Sequence, residues 1–173
     1  MMGENNNTMS TFEDYHYRWR ETYFVLFNAK KRPKLQTVVK TIQALNNRYE
    51  LTNLNADEQG RIESMTIISP EDYAALDICF SSGEEVLEQA AATVEDLKKS
   101  ASDTGTEIPV KKILSFDGRF DVLHFERIAE KPEDEDEEML DPSALLIVLE
   151  TLAKLTDGVA VDPASGTILD NGD

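Results

Sequence analysis

The chain has 173 residues and a mass of 19.4 kDa, the size of one ordinary domain that buries roughly two thirds of its unfolded surface. Its formal net charge of −17 and pI near 4.4 turn electrostatics against DNA, RNA and anionic lipid over most of the surface, so nucleic acid is not an expected partner. The single cysteine, Cys79, excludes an internal disulfide; the longest apolar run, 144–149, is too short for a membrane span, and no charged, apolar and cleavable pattern opens the chain, so a cytoplasmic location without a membrane partner is expected.

The first ten residues, MMGENNNTMS, are polar and aperiodic and read as a disordered leader, with one α+β domain expected over 11–173. From Tyr15 the chain alternates: Tyr15, Tyr17, Trp19, Tyr23, Val25 and Phe27 share one parity, and His16, Arg18, Arg20 and Thr22 the other. Side chains of a strand alternate between faces, so this predicts a long strand or strand pair with an apolar face interrupted at Glu21. Pro33 suits the first turn of a helix whose apolar face would carry Leu35, Val38, Val39, Ile42 and Leu45. Strands are expected over 49–54 and 61–69, separated by the turn-rich NADEQG. A further strand would put Ala74, Leu76, Ile78 and Phe80 on one face. Ser82 and Glu85 fit a capping box ahead of a helix with Leu87, Ala90, Ala91, Val94 and Leu97 in a stripe.

SDTGTEIP is expected to break that helix, and ILSFDGRFDVLHFERI reads as a hairpin turning at Asp117-Gly118. Acidic residues fill every position of 133–138, and like charges at that density favour an extended, solvated loop over 130–140. Asp141-Pro142 can start a last helix over 145–155, closed by Gly158, after which GVAVD and GTILD suggest a small hairpin. Strands outnumber helices and do not alternate with them one for one. The fold class expected is therefore α+β: an antiparallel sheet with helices packed on one face, ferredoxin-like with an additional C-terminal helix.

Motifs for chemistry are sparse. His16, His124 and Cys79 are too few, and wrongly spaced, for a zinc site, and no phosphate-cradling glycine loop or nucleophile elbow occurs, so neither a metal nor another cofactor is expected. Cys79 sits in an apolar strand where a thiol packs as a small hydrophobe, and a Cys79–His124 dyad is the weaker reading. Adjacent acids such as Asp57-Glu58 and Glu71-Asp72 lie in expected turns, where general acid–base work has no pocket to serve. His124 shares parity with Phe120 and Val122, which would bury it. A structural histidine is the simpler account, and a small enzyme or ligand-binding domain with a sheet-face site near His124 is the alternative. YHYRWR mixes rings and arginines as single-strand nucleic-acid platforms do, but the alternation would separate the two on opposite faces.

Two features point to contacts. Lys30, Lys31, Arg32 and Lys34 concentrate positive charge before a helix N-terminus, which is the unfavourable end for cations, so they are candidates for binding an anion or an acidic partner, the alternative being a solvated loop that aids solubility. In the last helix, Leu146 and Ile147 widen the apolar stripe of Leu145, Val148, Leu149, Leu152 and Leu155, which can mark a partner-binding or homodimer interface; the alternative is that the acidic loop or the C-terminal hairpin covers this helix. The function expected is thus a non-enzymatic binding or regulatory domain acting through protein–protein interaction.

Overall fold

The computed structural model describes residues 16–104, 110–128 and 142–169. The leader at 1–10 and the acidic loop at 130–140 lie outside the described residues. Among the described residues seven strands form one antiparallel sheet: β1 (Tyr17–Phe27), β2 (Glu50–Ala56), β3 (Ile62–Ser69), β4 (Ala74–Ser82), β5 (Gly118–Arg127), β6 (Val159–Asp162) and β7 (Thr167–Ile168), in the spatial order β2-β3-β4-β5-β1-β6-β7. The described helices are α1 (Leu35–Leu45), α2 (Glu84–Thr104), α3 (Val110–Leu114) and α4 (Ser143–Thr156). None is long and apolar enough to cross a membrane.

The α+β class holds, with two corrections. The sheet is larger than the ferredoxin-like arrangement expected, and three strands rather than two separate α1 from α2. Helices cover both faces of the sheet, not one. On the first face α1 and α4 bury Val38, Ile42, Leu145, Val148, Leu149 and Leu152 against Val25, Phe27, Ile78, Phe120 and Val122. On the second, α2 and α3 bury Val86, Ala90, Val94, Leu97 and Ile113 against Leu26 and Val161. The cause is visible in β1, where the even positions Phe24 and Leu26 are as apolar as the odd positions Val25 and Phe27. A strand apolar on both faces, in the interior of the sheet, needs a layer on each side.

A β-bulge rewrites the alternation at the start of β1. Trp19 pairs with Phe125 and Glu21 with His124, so Arg20 is the extra residue and the parity reverses there. Tyr17 and Trp19 therefore stand on the opposite face from Tyr23, Val25 and Phe27, whereas the sequence alternation had placed all five together. The expected hairpin over ILSFDGRF is also replaced. Val110 and Ile113 share a helical face, Ile113 is buried in the second core, and the segment forms α3 before the single strand β5. Ser82 ends β4 instead of capping α2, which follows Gly83 at φ +116°. The buried stripe of α2 runs through Val86, Ala90, Thr93, Val94 and Leu97, leaving Leu87 and Ala91 exposed.

The end of α4 is fixed to β1. Asp157 takes the left-handed cap at φ 54°, and Gly158 then passes so close to the strand that a Cβ there would lie 2.8 Å from Phe27 Cβ. This close approach seats α4 beside α1 on the first face.

Candidate functional site

The four cations are dispersed into different roles. Asn28 caps a short 3-10 turn, Ala29–Lys31, by accepting from the Lys30 backbone N–H at 3.0 Å. Arg32, with its side chain 11% exposed, donates from Nη2 to Asp57 Oδ2 at 2.7 Å and from Nη1 to the Ile62 carbonyl at 3.4 Å, and its guanidinium lies 4.1 Å from the Phe80 ring centroid. Asp57 also accepts from the backbone N–H groups of Gln59 and Arg61 and from Arg61 Nε. Desolvation raises the Asp57 carboxyl, but the N–H donors of Arg61 and Gln59 and the two guanidinium charges outweigh it and hold the group below its ordinary range. Arg32 thus clasps the β2–β3 turn to the entry of α1. Lys34 pairs by backbone bridge with Arg61, and the Leu35 N–H, the first of α1, donates to the Gly60 carbonyl at 2.9 Å.

Lys31 is drawn elsewhere. Its Nζ meets Asp157 Oδ2 at 3.1 Å while Lys112 Nζ of α3 meets Oδ1 at 3.0 Å, so one exposed carboxylate gathers two lysines 81 residues apart in sequence. Hydrogen bonds from Lys112 and Lys31 hold the Asp157 carboxyl below its usual range. Lys30 and Lys34 are exposed.

Leu146 and Ile147 fall on the outward side of α4, 49% and 36% exposed. Ile147 lines a cleft of about 370 Å³ between the two helices of the first face, with Thr41 and Leu45 of α1 and Glu150, Thr151, Lys154 and Leu155 of α4. Leu45 is 55% exposed. Periodicity had assigned it to the core because it is in phase with Val38, but at the last residue of α1 it looks into the cleft instead. Charge is thin here: α1 carries only Lys40, and α4 carries Glu150 and Lys154, which pair with each other at 3.3 Å.

A third cluster, under the start of β1, was not assembled from the sequence. Glu126, its side chain 4% exposed, accepts from Arg18 Nη2 at 3.0 Å and Arg20 Nη1 at 3.2 Å. His124, 1% exposed, sits with Nδ1 2.6 Å from Glu21 Oε2, and its Nε2 is buried without a hydrogen-bond partner. The bulge at Arg20 makes this arrangement possible, because it brings Glu21 opposite His124 while Arg18 stays opposite Glu126. Burial raises the Tyr23 phenol on the same strand, and the carboxylates Glu21 and Asp162 add to the effect. The signal was present in β5, where Glu126 continues the buried parity of Phe120, Val122 and His124.

Cys79 does not join His124. It lies across from Asp121 on the other face of the sheet and is exposed, contrary to the packed position expected. Desolvation, with Asp77 and Asp121 beside it, pushes its thiol up and away from the nucleophilic thiolate. Among the described residues no three His, Cys, Asp or Glu side chains converge as a metal site would require. Comparison with known proteins returns no match: no family model, no curated protein and no solved structure matches the chain.

Proposed function

We propose that this chain is a non-enzymatic binding domain that docks another protein segment on the face formed by α1 and α4. One observation carries the reading: an apolar cleft, with Leu45, Leu146 and Ile147 exposed on it or beside it, between two helices that together carry a single acid, Glu150, in a chain of net charge −17. Exposed aliphatic side chains gathered around a groove between two helices offer the geometry that receives a helix or a second helical pair. The test is selection from a random peptide library displayed on phage, against sparsely immobilised wild type and Ile147→Glu. Peptides with apolar residues spaced i, i+3, i+4 and i+7 should enrich on the wild type and vanish on the variant. Equal enrichment on both contradicts the reading, and so does enrichment on neither for a chain that is also strictly monomeric.

A second reading, a small enzyme or ligand site on the sheet near His124, is favoured by the buried Nε2 without a partner, since a buried polar atom of that kind is what a ligand group satisfies. His124→Phe separates the two. A purely structural histidine tolerates the change with a shift in Tm alone, whereas a ligand site loses binding in a small-molecule thermal-shift screen that the wild type passes.

A further inference from the structure

We infer that the occupant of the α1–α4 face is a second copy of this chain; the inference rests on the docking reading above. Charge is the first argument. The two helices together carry +1, from Lys40 and Lys154 against Glu150, while the whole chain carries −17. A strongly basic partner would be attracted by acids left around its docking face. Withholding acid from a face matters when the partner itself is acidic, because two bodies of the same sign can touch only where neither presents its charge. A second copy meets that condition by construction: it brings the same acid-poor face, and a two-fold axis sets like against like.

Composition agrees, and size sets the strength. Leu45, Leu146 and Ile147 supply aliphatic anchors, and the Glu150–Lys154 pair, 3.3 Å apart on one helix, holds both signs and can exchange partners across an antiparallel contact. The footprint of α1 and α4 side by side is roughly 20 Å by 20 Å. At about 400 Å² per copy, roughly 800 Å² in total, such a footprint lies below the range of stable interfaces, so the dimer is a weak, transient one, with a dissociation constant expected in the tens of micromolar.

The contact has an unusual salt signature. General repulsion between two acidic copies is screened by salt while an apolar contact is not, so added NaCl tightens this dimer, where one held by ion pairs would loosen. The experiment is sedimentation velocity on the full chain from roughly 1 to 200 µM, a range bracketing that dissociation constant. It is run at low and high NaCl for wild type, Ile147→Glu and Leu45→Glu, with the Tm of each variant recorded alongside. The wild type should show a monomer–dimer equilibrium that tightens several-fold in high salt, and each variant should weaken it at least about tenfold while staying folded. A wild type monomeric throughout, a dimer loosened by salt, or a dimer indifferent to both substitutions overturns the inference. So does loss of fold in both variants, which would place Leu45 and Ile147 in the core. If the wild type is monomeric yet peptides enrich on this face in the phage selection, only the second copy is wrong; if both fail, the docking reading falls as well.

Discussion

The segment at 30–34 and the outward side of α4 both read as contact surfaces in the sequence, but the fold treats them in opposite ways. Arg32 is committed to Asp57, the Ile62 carbonyl and the Phe80 ring, and Lys31 is held by Asp157. Leu146 and Ile147 are left facing outward, and α1 adds Leu45 beside them. A charge run says little about whether its charges serve the fold, because the partners arrive from distant turns. An apolar stripe wider than one helix face can bury does say that something is left over.

The largest effect that sharpens this contrast is expected at Arg32. Arg32→Ala leaves Asp57 short of a partner and uncovers Phe80, and should lower Tm by roughly 5–10 °C, as loss of one member of a largely buried pair does in a chain of this size. Lys30→Ala, two positions away and exposed, should move it by less than about 1 °C. Comparable shifts at the two positions, read by calorimetry, would erase the distinction between a cation that builds the fold and one that decorates it.

A smaller effect is expected in acid. The Asp57 carboxyl is held below its ordinary value of 3.8, so its contribution is fully present above that value and is lost as pH falls through the lower folded value. Wild-type Tm should therefore drop below about pH 4 more steeply than that of Asp57→Asn, which has no proton to take up. Parallel profiles would show that the clasp does not depend on this charge. Smaller still is the joint replacement of Lys31 and Lys112 by alanine. Asp157 and both lysines are solvent-exposed, so Tm should fall by less than about 2 °C, and less again in high salt.

Legibility in the sequence follows the range of the interactions. Helices α1 and α4, the C-terminal hairpin of β6 and β7, and strands β2 to β4 rest on local periodicity and turn residues, and were readable. The bulge at Arg20 was not, because one added residue leaves no local mark and is set by the pairing of β1 with β5. That single residue also hid the cluster of Arg18, Arg20, Glu21, His124 and Glu126, which exists only in the shifted register. Cover on the second face is legible in Phe24 and Leu26, the even positions of β1, whose apolar character the alternation of the odd positions masks. Of the contact candidates, Ile147 and Leu146 were found by stripe width, whereas Leu45 keeps core phase and is released only by the end of its helix.

Everything proposed for the α1–α4 face requires Ile147 to be a surface residue of the isolated chain, and the effect that checks this is a small one. The measurement is the Tm of Ile147→Glu against wild type, at a concentration low enough for both to be monomeric. At 36% exposure the carboxylate can stay in water, and the midpoint is predicted to stay within about 2 °C of wild type. A fall of more than roughly 8 °C, the scale of burying an unpaired charge, would place Ile147 in the core and leave the face with no anchor for a partner.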